Sequence, residues 1–134
     1  MAVLRTEVLP LRSSTDLVAL RQAVRAMLQE LGFGLVDQTK LVTAASELAR
    51  NVVDYAGTGT ARLQALNEGV RRGVRVVFED QGPGIADVEQ AMRDGYSTGG
   101  GLGLGLGGAR RLSNEFEIES KPGHGTRVTI TRWR

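Results

Sequence analysis

An α+β two-layer sandwich, with helices on one face of a mixed or antiparallel sheet, is the architecture that this 134-residue sequence predicts. Three observations carry it. Apolar residues recur at steps of three and four in two long segments of the N-terminal half. They then recur at steps of two in a pair of strand-like segments, and a run of glycines separates that pair from a last helix and hairpin.

Taken in order, Val3 to Leu9 alternate as a short first strand that Pro10 is expected to close. Ser13 and Asp16 resemble a capping box, and Leu17, Leu20, Val24, Met27, Leu28 and Leu31 follow as one apolar stripe of a helix that ends near Gly32 and Gly34. Asp37 is the expected N-cap of a second helix, whose stripe runs through Leu41, Ala44, Ala45, Leu48, Val52 and Tyr55 until Gly57 and Gly59. From Thr60 the period is two: Ala61, Leu63 and Ala65 face one way, Asn67 to Gly73 connect, and Val74, Val76 and Phe78 return. A short helix near Asp87 to Met92 and another near Leu106 to Leu112 flank the glycine block. Phe116 to Glu119 and Arg127 to Arg132 form a hairpin around Lys121 to Gly125. No repeat or linker divides the chain, so one domain over 1–134 is expected, large enough to bury roughly two-thirds of its unfolded surface.

Composition narrows the chemistry. With no cysteine there is no disulfide scaffold, thiolate nucleophile or sulfur-ligated zinc, and a single histidine, His124, removes Ser-His-Asp hydrolysis and multi-histidine metal centres. Seventeen basic against fifteen acidic residues are interspersed, which disfavours sequence-independent nucleic-acid binding. No apolar run approaches the ~18 residues of a membrane span, and Met1 to Arg12 lack the apolar block of a signal peptide, so a cytoplasmic protein without membrane contact is expected.

Three places can hold chemistry. Glu47 and Asn51 lie four apart on one helix face, a carboxylate beside a neutral oxygen ligand; a solvated polar pair has the same spacing. Asp80 continues the inward parity of Val74, Val76 and Phe78, and a carboxylate turned inward needs donors, such as an adenine amine. Gly82 and Gly84 would let backbone approach a planar ring, although Gln81-Gly82-Pro83-Gly84 also suits an ordinary tight turn. Seven of the 18 glycines fall between Gly99 and Gly108, interleaved with Leu102, Leu104 and Leu106. That register suits a phosphate nest running into a helix, or a flexible loop. Gly103, Gly105 and Gly108 match the dinucleotide pattern only by accident, since no strand precedes them, and no Walker A lysine follows a glycine.

Ser46-Glu47-Leu48-Ala49-Arg50-Asn51, Asp80-Gln81-Gly82-Pro83-Gly84-Ile85 and Gly101-Leu102-Gly103-Leu104-Gly105-Leu106, in this order, resemble the N box, G1 box and G2 lid of the GHKL ATPase and kinase superfamily with its Bergerat ATP-binding fold. Within it, nearly the whole chain resembles bacterial serine kinases that control sigma factors by partner switching. Asn51 to Ala56, Asp94 to Thr98 and Arg110 to Phe116 are most similar to the sigma-B regulator T branch.

The resemblance implies ATP and Mg²⁺ as cofactors. Asp80 would accept from the adenine amine, with Thr126 beside it and Gly82 and Gly84 lining the ring. Asn51 would ligate Mg²⁺ and Glu47 would be the general base. Gly101, Leu102, Gly103, Leu104 and Gly105 would close over the phosphates. Arg50 and Arg110 stand outside this core set, and His124 is a turn residue. The activity implied is phosphorylation of a STAS-domain antagonist protein, with a PP2C-type phosphatase as a further partner. The competing function is a nucleotide-dependent anti-sigma factor that sequesters a sigma factor.

Overall fold

The computed structural model describes residues 1–93 and 105–134. Strand β1 (Ala2–Leu11) leads into helices α1 (Ser14–Glu30) and α2 (Leu35–Asn51). A π-helical turn (Val52–Ala56) follows, then the hairpin β2 (Gly59–Glu68) and β3 (Arg71–Asp80), the short helices α3 (Val88–Ala91) and α4 (Gly105–Arg111), and the hairpin β4 (Glu115–Ser120) and β5 (Thr126–Trp133). The five strands order as β1-β2-β3-β5-β4 with every pairing antiparallel, which settles the sheet that the sequence left as mixed or antiparallel.

Period-two burial fixes which face meets the helices. Cross-strand partners share a face. Ala61 pairs with Phe78 and Leu63 with Val76, while Val128 and Ile130 take the other sides of Phe78 and Val76. All six are buried, beneath Leu20, Val24, Met27 and Leu28 of α1 and Leu41, Ala44, Ala45 and Leu48 of α2. Each large side chain so removed from water contributes roughly 1.5–3 kcal/mol. On the far face, Arg62, Gln64, Arg75, Glu79, Arg127 and Thr129 meet solvent, and Glu79 lies 3.6 Å from Arg62 and 3.4 Å from Arg127. Leu66 is buried on this outer side, where Trp133 lies over Gly73 and the Arg71 guanidinium sits 4.2 Å from the indole centroid. A Cβ at Gly73 would strike that ring.

Several local expectations are corrected. Pro10 does not close the first strand: β1 continues to Leu11, and Pro10 pairs with Thr60 on a sheet edge, where its missing N–H costs least. Ser13 occupies the N-cap of α1 without a side-chain cap bond. Asp16 reaches past it to the Arg12 backbone N–H at 2.9 Å and to Arg12 Nε at 3.0 Å, so an ion pair replaces the capping box. Gly34, not Asp37, caps α2, because Asp37 is spent on Arg132 of β5, accepting from Nη2 at 2.7 Å and Nε at 3.2 Å.

The stripe of α2 does not extend to Tyr55. The wider π turn breaks the 3.6-residue register and leaves Tyr55 48% exposed, until Gly57, at φ +83°, donates to the Val52 and Val53 carbonyls.

Candidate functional site

Where β3 ends beside β5, a cavity of about 340 Å³ lies between the sheet, α2 and the π turn. Leu48, Val52, Phe78, Ile85, Ala91, Leu106 and Val128 make it an apolar sleeve. Asn51 enters from α2, Asp80 from β3, Gly84 from the loop after it, Gly105 from α4 and Thr126 from β5. Cavities of this kind, mostly apolar with a few convergent polar groups, are the usual form of small-molecule and cofactor sites.

The polar end is held by register and by close backbone contacts. Asp80 and Thr126 are direct cross-strand partners at the ends of β3 and β5, so both side chains leave the sheet on the helix face. Asp80 Oδ1 accepts the Gly82 N–H at 2.9 Å. Among the described residues Oδ2 takes no hydrogen bond, which leaves a carboxylate oxygen for a ligand donor. The hairpin between β4 and β5 clamps the loop after Asp80. Gly123 N–H donates to the Pro83 carbonyl at 2.7 Å, and a Cβ on Gly84, at φ +76°, would run into the Lys121 carbonyl oxygen. Gly82 lies against Ala56 of the π turn instead of lining the cavity.

Ser120, which no pattern in the sequence singled out, ties this corner together. Its Oγ accepts the Ile85 N–H at 2.8 Å, donates to the Gly125 carbonyl at 3.2 Å, and lies 2.8 Å from Thr126 Oγ1. One hydroxyl therefore orients the loop and the threonine together. The only sequence signal was a serine one residue before the hairpin turn, a place where serine is common for turn chemistry alone.

The structure thus gathers Asn51, Asp80, Gly84, Gly105 and Thr126 around one cavity. Glu47 lies one turn before Asn51 on α2 and is only 5% exposed; it is not among the residues that line the cavity. Gly101, Leu102, Gly103 and Leu104 lie outside the described residues. Asn51 is partly exposed at the cavity, and its carboxamide makes no hydrogen bond among the described residues, which fits a neutral oxygen ligand kept available for a cation. No cluster of three or more acidic or histidine side chains suited to a metal occurs among the described residues. The charged residues that line the described cavity are both acidic, Asp80 and Asp87, and Asp87 is engaged as the N-cap of α3 through Gln90 N–H at 2.9 Å.

An apolar slot ending in an aspartate and a threonine on neighbouring strands is matched by a family of known proteins. The model of the histidine kinase-, DNA gyrase B- and HSP90-like ATPases fits residues 36–133. The chain belongs to this family. It is 48% identical over 118 residues to the serine/threonine-protein kinase RsbT of Bacillus subtilis, spanning 88% of this chain and 89% of the relative. It is 29% identical over 119 residues to an anti-sigma F factor of a Thermoanaerobacter species, spanning 84% and 82% of the two chains. Among solved structures, the RsbU and RsbW domains of a Mycobacterium tuberculosis protein superpose with a TM-score of 0.64 at 22% identity, over 96% of this chain and 33% of that longer one, a likeness of fold. Family and close kinship with RsbT together make this an ATP-using serine/threonine kinase of the partner-switching type. No helix among the described residues is long and apolar enough to cross a membrane.

Proposed function

We propose that residues 1–134 act as a single ATP-binding kinase domain that transfers the γ-phosphoryl group of Mg·ATP to a serine or threonine hydroxyl on a STAS-domain antagonist protein, in the cytoplasm. A PP2C-type phosphatase is its further partner. The observation that carries the ATP site is the cross-strand pairing of Asp80 with Thr126 at the end of an apolar slot whose opposite wall presents Asn51.

Asp80 Oδ2 accepts from the exocyclic amine of adenine, and Thr126, oriented by Ser120, meets the same edge of the ring. Gly84 lets backbone lie along the ring, while Gly82 shapes the loop from behind, where its N–H holds Asp80 Oδ1. Guanine presents a carbonyl where adenine has its amine, so it would place acceptor against acceptor at Asp80. Asn51 holds Mg²⁺, which supplies charge neutralisation at the phosphates. The segment Gly101, Leu102, Gly103, Leu104 and Gly105 covers those phosphates with backbone N–H groups.

Glu47 takes the proton of the incoming hydroxyl. Only 5% exposed, it reaches that proton once nucleotide and acceptor are both in place, since catalytic hydrogen bonds tighten in the loaded complex.

The deciding experiment is thermal melting with ATP, ADP and GTP, each with and without Mg²⁺. A ligand at about 100 times its dissociation constant adds ~2.7 kcal/mol, which raises the melting temperature by roughly 8–10 °C for a domain of this size. A Mg²⁺-dependent rise with the adenine nucleotides, absent with GTP and much smaller in Asp80→Asn, is expected. No rise with any nucleotide would overturn the reading. The kinship with anti-sigma F factors supports a second reading, sequestration of a sigma factor. Capture from a lysate separates the two, by whether a STAS protein or a sigma factor is retained.

A further inference from the structure

We infer that Arg50 is a further catalytic residue, whose guanidinium holds the γ-phosphoryl group of ATP while that group passes to the acceptor hydroxyl. The inference rests on the reading of Glu47 and Asn51 as the phosphate end of the site, and it supplies that end with a cation from the chain itself. Arg50 lies in the last turn of α2, beside Asn51 and one turn after Glu47. It is partly buried, yet among the described residues it makes no hydrogen bond and no ion pair.

That isolation is built into the helix. Two carboxylates stand at helical spacing from Arg50, Glu47 three residues before it and Asp54 four residues after it, and it pairs with neither. The π turn over Val52–Ala56 is wider than an α-turn, so it rotates Asp54 off the face that carries Arg50 and leaves it in solvent. Ser46, one turn earlier, donates its hydroxyl to the Val42 carbonyl at 2.8 Å. A guanidinium drawn partly out of water without a partner costs free energy, and an arriving anion removes that cost. Single π turns within helices recur at functional sites for this kind of reason.

The charge of the site calls for such a cation. Mg·ATP keeps a net negative charge, and the charged residues that line the described cavity, Asp80 and Asp87, are acidic. Other cations near the site are placed differently. Lys40 lies two turns before Glu47 on α2, roughly 10 Å along the axis. Arg110 lines a separate groove with Met92, Phe116 and Ile118, and Lys121 and Arg127 line another on the adenine side, beside Thr126.

An arginine suits the task because its planar fork of N–H donors meets two phosphoryl oxygens at once and stays protonated. In the transfer, the bond from Pγ to the oxygen that bridges it to Pβ breaks as the acceptor oxygen bonds to Pγ. The acceptor proton goes to Glu47, and ADP leaves with the bridging oxygen. Arg50 donates to the non-bridging oxygens of Pγ throughout and gives up no proton. ADP has no such oxygens, so Arg50 acts on ATP and on the transfer but not on ADP.

Calorimetry on the whole chain with Mg·ADP and with the non-hydrolysable analogue Mg·AMP-PNP tests this directly. In Arg50→Ala the affinity for Mg·ADP should stay within about twofold of the parent, while that for Mg·AMP-PNP falls at least about tenfold. Single-turnover phosphate release from Mg·ATP should fall roughly 10²–10³-fold, with little of it kept by Arg50→Lys. Millimolar guanidinium ion should restore part of the rate to Arg50→Ala and none to Arg50→Lys. Alanine is the stronger helix former, so the variant keeps its fold.

Equal losses of ADP and AMP-PNP affinity, or phosphate release close to that of the parent, would overturn the inference. So would an effect confined to the KM of a STAS-domain acceptor, which would make Arg50 a docking residue. A parent chain that binds neither nucleotide would overturn the adenine site at Asp80, and this inference with it.

Discussion

Replacing Ser120 with alanine removes one oxygen from the surface and is expected to weaken both the fold and the nucleotide site. The Oγ of Ser120 has three neighbours: the Ile85 N–H at 2.8 Å, Thr126 Oγ1 at 2.8 Å and the Gly125 carbonyl at 3.2 Å. A net hydrogen bond is worth roughly 0.5–1.5 kcal/mol, and a buried donor left without a partner costs about 1–3 kcal/mol. This corner is partly buried, so water replaces some of what is lost and the expected sum for Ser120→Ala is about 1–2 kcal/mol. For a chain of this length that lowers the melting temperature by roughly 3–7 °C.

A second effect separates positioning from mere stability. With Thr126 no longer oriented and the loop after Pro83 no longer tethered, the rise produced by Mg·ATP should shrink relative to the variant's own nucleotide-free melt. Ser120→Thr, which keeps the hydroxyl, should recover most of it. A melting temperature within about a degree of the parent, together with an undiminished ATP-induced rise, would refute the assignment.

Four further outcomes follow from the same geometry. Gly84→Ala should cost at least about 2 kcal/mol in urea unfolding, since it combines φ +76° with a collision at the Lys121 carbonyl, whereas Gly57→Ala, at φ +83° with open space around it, should cost only about 1 kcal/mol. Asp80→Asn keeps an oxygen for the Gly82 N–H but loses the charge-assisted bond to adenine, so calorimetry should show ATP affinity falling roughly 10- to 100-fold. Glu47→Gln should leave ATP affinity within about twofold while phosphoryl transfer falls by roughly 10²–10⁴, measured by radiolabel incorporation into the acceptor. The hydrogen bond from Arg12 holds the Asp16 carboxyl below its ordinary 3.8, so its contribution is present above that pH and is lost as the pH falls through the native value. Asp16→Asn should accordingly flatten the acid limb of the stability curve below about pH 4, seen by comparing urea midpoints near pH 7 and near pH 3.

What the sequence revealed and what it concealed divide along physical lines. Strand parity was legible because one face is dry. Val74, Val76 and Phe78 are all buried, and carrying their alternation one step further places Asp80 at the cavity. The resemblance to the ATPase family then joined Thr126 to Asp80, and the sheet makes the two direct partners.

Local chemistry was less legible, because tertiary contacts outbid it. Asp37 is a good N-cap by residue type, yet Arg132, 95 residues away, takes its carboxylate. The pairing of Pro10 with Thr60 and the ion pair that displaced the capping box at Ser13 are likewise decided by neighbours that no local window contains. The π turn at Val52–Ala56 hides for another reason: one residue of slippage in a helix leaves no compositional mark, only a tyrosine that ends up half in solvent. Ser120 is invisible for the simplest reason, since its role exists only once two loops have met.

The position of β5 bears on how the protein comes into being. It follows β4 along the chain, yet it lies inside the sheet between β3 and β4 and delivers Thr126 to the nucleotide cavity. A ribosome-bound chain that has emerged only as far as β4 has its helices and three strands in hand, an open flank along β3, and half an adenine site. ATP cannot stabilise such a chain, and the exposed flank of β3 is the surface that a chaperone, or another unfinished copy, would meet first. Strand insertion and acquisition of nucleotide affinity should therefore coincide in a single step after β4 has emerged, and pulse-labelled nascent chains would gain protease resistance and ATP binding together.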